Sequence, residues 1–89
     1  MAWSVEYDRS VQRDLDKLDK QVAERIVRFI GDRVAKLEDP RSIGEALKGN
    51  RLGEFWKYRV GDYRIIASIE DTALKILVVQ IRNRKEVYR

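Results

Sequence analysis

The sequence predicts an α+β domain: an N-terminal strand, then a two-helix hairpin packed on one face of a mainly antiparallel sheet, which a three-strand C-terminal meander completes. Three observations predict it. Apolar and polar residues alternate over the first few positions, apolar residues follow helical spacing through the middle, and the period returns to two from Leu52 onward. At 89 residues the chain has room for one modest core, so residues 1–89 are expected to form a single domain. No repeat, low-complexity tract or flexible linker interrupts the pattern.

The first strand is Ala2 to Tyr7, with Trp3, Val5 and Tyr7 facing inward. Asp8 or Ser10 can cap the helix that follows, in which Val11, Leu15 and Leu18 make one apolar stripe. The second helix runs from Gln21 to Leu37 on Val22, Ile26, Phe29, Ile30, Val34 and Leu37. Asp39-Pro40 ends it, because proline brings no amide hydrogen. Ile43 to Gly49 reads as a loop or a brief helical turn. Three strands follow, Gly53 to Val60, Tyr63 to Glu70 and Ala73 to Ile81, separated by the turn-forming pairs Gly61-Asp62 and Asp71-Thr72.

Composition removes much chemistry. The chain has no cysteine, hence no disulfide, thiolate zinc site or thiol nucleophile. It has no histidine, hence no histidine pair, histidine triad or histidine metal site. It carries no glycine-rich phosphate loop, so no cofactor is expected. No apolar run approaches the roughly 20 residues that span a bilayer, and the N-terminus lacks the pattern of a signal peptide. A cytoplasmic protein with no membrane partner is expected. The net charge is +4. Residues 1–56 hold eleven Lys/Arg and eleven Asp/Glu, while residues 57–89 hold eight and four, so the whole excess lies in the last third. That points to a polyanionic partner for this part of the chain.

Seven of those eight cations form a basic set, Lys57, Arg59, Arg64, Arg82, Arg84, Lys85 and Arg89, interleaved with Trp56, Tyr58, Tyr63 and Tyr88. If Gly61-Asp62 is a two-residue hairpin turn, paired numbers keep a constant sum: Val60 opposes Tyr63, Arg59 opposes Arg64, and Lys57 opposes Ile66. Lys57, Arg59 and Arg64 then share one face. Trp56, Tyr58 and Val60, with Tyr63, Ile65, Ala67 and Ile69, point to the helices. Like charges directly opposite each other weaken a sheet, and a bound phosphate would give Arg59 and Arg64 a reason to stand together; the alternative is that both splay into water or pair with Glu54 and Asp62. The last strand brings Arg82 and Arg84 to its end, on one face if the strand continues that far. Tyr88 then returns within reach, the one group near these cations that, once ionised, can take a proton from a ribose hydroxyl.

These residues also carry a resemblance to the RelE/ParE superfamily of toxins from bacterial and archaeal toxin–antitoxin modules. It rests on Leu47-Lys48-Gly49, on Trp56-Lys57-Tyr58-Arg59-Val60-Gly61-Asp62-Tyr63-Arg64-Ile65, and on Ile81-Arg82-Asn83-Arg84-Lys85-Glu86-Val87-Tyr88, and it runs nearly end to end. RelE-like members are ribosome-dependent endoribonucleases that cut messenger RNA; ParE-like members act on DNA gyrase and generally lack the catalytic set. The basic residues and the late tyrosine make this chain similar to RelE.

By that resemblance Arg64, Lys57, Tyr88 and a late arginine, Arg84 or Arg82, are catalytic, and Arg59, Arg82, Lys85 and Arg89 help to bind RNA. Phe55 stands where the best-known members have a second lysine, and Asn83 where many relatives have histidine. The resemblance implies a metal-independent reaction in which Tyr88 takes the 2′-hydroxyl proton and arginines stabilise the phosphoryl charge. It also implies three partners: the ribosome, its message, and a RelB-like antitoxin that holds the toxin in a hetero-oligomer. The competing class is a ParE-like gyrase inhibitor or a catalytically inactive homologue that only binds its antitoxin.

Overall fold

The structure is a computed structural model, and it describes residues 3–47 and 55–83. Its first strand, β1, is Ser4–Tyr7. Asp8 caps the first helix, α1 (Arg9–Lys17), its carboxylate accepting from the Ser10 amide at 3.3 Å and the Ser10 hydroxyl at 2.6 Å. Those bonds hold the Asp8 carboxyl below its ordinary pKa. Asp19 caps α2 (Lys20–Arg28) in the same way, through the Gln21 amide at 3.1 Å.

Helix two differs from expectation in its second half. The spacing predicts one α-helix to Leu37, but from Phe29 to Val34 the chain widens into a π-helix, in which the Ala35 amide reaches back to the Ile30 carbonyl at 2.9 Å. A short 3₁₀ turn, Pro40–Ile43, follows, capped by Asp39. The expected loop from Ile43 then contains a strand that the sequence reading omits, β2 (Glu45–Ala46), too short to show an alternation.

The other strands are β3 (Phe55–Val60), β4 (Tyr63–Glu70) and β5 (Lys75–Asn83). β4 has the expected bounds. β5 lies two residues later than the predicted Ala73 to Ile81. Its preceding turn is longer than the dipeptide Asp71-Thr72, ending on Leu74 at φ 48, and its far end is held by pairing of Arg82 with Arg64 and Asn83 with Tyr63. The five strands lie in the order β1-β5-β4-β3-β2, antiparallel except that β1 runs parallel to β5. No described helix is long and apolar enough to cross a membrane.

One sheet face carries the core. Tyr58, Val60, Ile65, Ala67, Ile69, Ile76, Val78 and Ile81 are buried there with Val11, Ile26, Ile30 and Val34 of the helices. Burying each large aliphatic side chain contributes about 1.5–3 kcal/mol. Tyr58 joins sheet to loop: its buried hydroxyl donates to the Pro40 carbonyl at 2.6 Å, and a Cβ at Gly44 would lie 2.9 Å from its ring. Burial pushes its phenol up to about 12.

A candidate nucleic-acid interface on the open sheet face

The β3–β4 pairing has the expected hairpin register, from Val60↔Tyr63 through Arg59↔Arg64 and Lys57↔Ile66 to Phe55↔Ser68. Because the side-chain period is two, the residues between the core positions face away from the helices. None of Phe55, Lys57, Arg59, Arg64, Ile66, Ser68, Gln80 and Arg82 is fully buried. This is the open face.

β5 adds the next column. Arg82 lies opposite Arg64, which lies opposite Arg59, so three arginines stand abreast across three strands, neighbouring strands being about 5 Å apart. The register depends on an irregularity between Ile66 and Ala67, which lets Gln80 oppose Ile66 while Val78 opposes Ala67. Across that extra residue the alternation of β5 changes phase, from Ile76 and Val78 to Ile81 on the core face, and this puts Arg82 on the open one. Arg59 and Arg64 also line a small hollow of about 30 Å³ with Gly61, Asp62 and Tyr63 at the turn, room for about one water molecule.

Two neighbours orient the cations. Gln80, with its amide turned so that the oxygen faces donors, accepts from Arg82 Nη2 at 2.9 Å and Nε at 3.0 Å, a fork that fixes the guanidinium. Lys57 shares the face of Arg59, as expected, but its ammonium reaches the other way, to Glu45 on β2 at 3.4 Å. Neither Gln80 nor Glu45 is among the residues expected from the sequence. Gln80 was accessible, lying two residues before Arg82 on one strand; Glu45 was not, because its strand is only two residues long.

Of the eight expected site residues, Lys57, Arg59, Arg64 and Arg82 are brought to one face. Arg84, Lys85, Tyr88 and Arg89 lie outside the described residues. The chain's other tyrosines are all turned from this face: Tyr7, Tyr58 and Tyr63 pack on the core side. Burial raises the phenols of Tyr7 and Tyr58, and that of Tyr58 is also committed to Pro40. Among the described residues no group of histidine, cysteine and carboxylate side chains is placed to hold a metal ion. Chemically, the row offers fixed positive charge and N–H donors to a phosphodiester.

Comparison with known proteins places this geometry in context. A family model described as the ParE toxin of the type II toxin-antitoxin system parDE matches residues 5–88. The Mycobacterium tuberculosis protein named toxin RelE is 31% identical over 77 residues, 86% of this chain and 76% of that protein. Among solved structures, the toxin-antitoxin complex RelBE2 of M. tuberculosis contains a chain with a TM-score of 0.83 at 23% identity, covering 94% of this chain and 93% of that one. The archaeal RelE–RelB complex of Pyrococcus horikoshii contains one with a TM-score of 0.74 at 26% identity, covering 94% of this chain and 97% of that one.

Proposed function

Because the chain belongs to the RelE/ParE family of type II toxin–antitoxin toxins, we propose that it is a ribosome-dependent endoribonuclease that cuts messenger RNA in the cytoplasm. The observation that carries this reading is the row Arg59–Arg64–Arg82 on the open face. A surface that met a neutral partner would gain nothing from like charges side by side, whereas a phosphodiester approaching its transition state takes up such charge.

In the reaction Tyr88 accepts the proton of a ribose 2′-hydroxyl. The 2′-oxygen bonds to the adjacent phosphorus, the bond to the 5′-oxygen breaks, and that oxygen takes a proton from water, leaving a cyclic phosphate and a 5′-hydroxyl. Tyr88 is favoured because the other tyrosines are turned to the core. An ordinary phenol is about one part in a thousand ionised at neutral pH, and cations brought beside a phenol raise that share. Arg64 stabilises the phosphoryl oxygens, with Arg82 fixed by Gln80 as its neighbour. Arg84 or Lys57 stabilises the departing oxygen; for Lys57 this needs phosphate to displace Glu45. The ribosome supplies the bent, in-line geometry that a free strand rarely adopts. Arg59, Lys85 and Arg89 hold flanking backbone.

The partner that restrains this activity is a RelB-like antitoxin, bound in a hetero-oligomer, a reading supported by the RelE–RelB pairing in the P. horikoshii complex. The second reading is a ParE-like action on gyrase, favoured by the description of the matching family model. Primer extension on messages from cells briefly expressing the wild-type, Arg64→Ala and Tyr88→Phe chains decides between them. Codon-phased breaks in wild type that vanish in both variants are expected. Intact messages with growth arrest and a DNA-damage response would overturn the RNA reading.

A further inference from the structure

A second basic concavity opens around the edge of the sheet from the arginine row. It is a cleft of about 280 Å³ between the π-helix and β3, lined by Phe29, Arg33, Ile43, Glu45, Lys57 and Arg59. Among the described residues, β2 pairs only with Lys57 and Trp56, so the rest of that edge of β3 has no strand beside it and the cleft lies there.

Three features give it a chemistry. The π-helix puts Phe29 and Arg33 nearly one turn apart, and the Arg33 guanidinium lies over the Phe29 ring, 6.0 Å from its centre. Phe29 therefore lines the cleft as one unit with the Arg33 guanidinium seated over its ring, and Ile43, itself an exposed apolar residue, forms another wall. The cations Arg33, Lys57 and Arg59 outnumber the one acid, Glu45, whose charge is met by Lys57. And Arg59 lines both this cleft and the hollow it shares with Arg64.

Resting on the RNA reading above, we propose that this cleft is a nucleotide subsite that takes one residue of single-stranded RNA beside the scissile phosphate, its base against Phe29 and Ile43 and its phosphate on Arg33 and Arg59. An aromatic ring together with the guanidinium seated over it is what an unpaired base packs on, whatever its identity. An acidic peptide would use the cations and leave the ring idle. The volume lies just below the roughly 300–1,000 Å³ of small-molecule sites, which suits one nucleotide and not a longer segment.

The test titrates the full chain with 2′-O-methyl RNA of increasing length, which cannot be cut, and reads fluorescence anisotropy together with backbone amide shifts at Ile43, Gly44 and Glu45. In the wild-type chain, the nucleotide that reaches the cleft should raise affinity about fivefold or more, the scale of one stacked base, and should move those amides. Arg33→Glu, an exposed change that leaves the core intact, should abolish that gain and lower the slope of log affinity against log salt by about 0.7, one single-strand phosphate contact. Phe29→Leu, which keeps apolar bulk against Tyr58, should lose the gain while keeping the slope.

An Arg33→Glu chain that binds every length as the wild type does would overturn the subsite and leave the arginine row standing. A wild-type chain that binds RNA of no length at low salt would overturn both. A mononucleotide that moves the cleft amides as strongly as the oligomer, or a glutamate-rich peptide that moves them in place of RNA, would overturn it in favour of a free-nucleotide site or a protein contact.

Discussion

The open face of the sheet has two ends built from the same strands on opposite electrostatic plans. At one end Lys75 of β5 lies between two carboxylates, 3.5 Å from Glu70 on β4 and 3.7 Å from Glu6 on β1. At the other, β3, β4 and β5 place Arg59, Arg64 and Arg82 in direct register. The first arrangement is what cross-strand pairing favours; the second works against the sheet by a few tenths of a kcal/mol or more for each like pair. Stability alone accounts for the first end. A bound anion, as proposed above, would account for the second.

The largest expected effect separates the ends by function. Arg64→Ala should lower the rate of ribosomal message cleavage by about 10²–10³-fold, the usual loss when one preorganised charge donor is removed, with little change in unfolding midpoint. Lys75→Ala should leave cleavage at the wild-type rate. The neighbour Ile65, buried on the core face, gives the inverse result: Ile65→Ala should cost about 2–5 kcal/mol in denaturant unfolding, with the folded fraction still cutting. Equal cleavage by the Arg64 and Lys75 variants would remove the functional distinction between the two ends.

That contrast was half visible in the sequence. The Gly61-Asp62 turn and the period of two were enough to pair Arg59 with Arg64 and to send Tyr58, Ile65 and Ala67 to the core, because a two-residue hairpin leaves no freedom of register. The pairing of Arg82 with Arg64 was not visible. It depends on the irregularity between Ile66 and Ala67, which has no local signature, and on a turn in which Leu74 adopts a left-handed φ that favours glycine or asparagine. The π-helix was hidden for a related reason: Phe29, Ile30 and Val34 fit α and π spacing alike over one turn. Glu45 was hidden by length, and with it the direction of the Lys57 ammonium. Sequence periodicity reported faces well and long-range partners poorly.

A smaller effect tests whether both ends rest on one scaffold. Tyr58, between Lys57 and Arg59 on β3, ties that strand to the Pro40 turn. Tyr58→Phe leaves the Pro40 carbonyl without its partner and should cost about 1–3 kcal/mol. It should also change the response to alkali. With the folded phenol at about 12 and the unfolded one near 10, both states keep the proton below pH 10 and the contribution to stability is whole. Above pH 10 the unfolded chain ionises first, and stability falls as pH rises through about 12. The wild-type midpoint should therefore drop more steeply between pH 10 and 12 than that of Tyr58→Phe. At a temperature where both are folded, the variant should cleave normally; if cleavage failed with the fold intact, the strand tie would be part of the site.

The smallest effect is the most direct measure of the two charge plans. Threonine suits a strand at either position, so Arg59→Thr and Lys75→Thr differ chiefly in the charges each removes. At low salt Arg59→Thr should stabilise the chain by about 0.2–1 kcal/mol by relieving the row. Lys75→Thr should destabilise it by no more than that, because Glu6 and Glu70 are 60% and 43% exposed and water screens the pair. Near 1 M salt, where screening acts over about 3 Å, both differences should shrink towards zero. Opposite signs that converge with salt would mean that the arginine end is held together at a cost to the fold, which a phosphate ligand offsets. If both variants lost stability equally at every salt concentration, the row would be an ordinary stabilising surface, and its register would no longer argue for an anion.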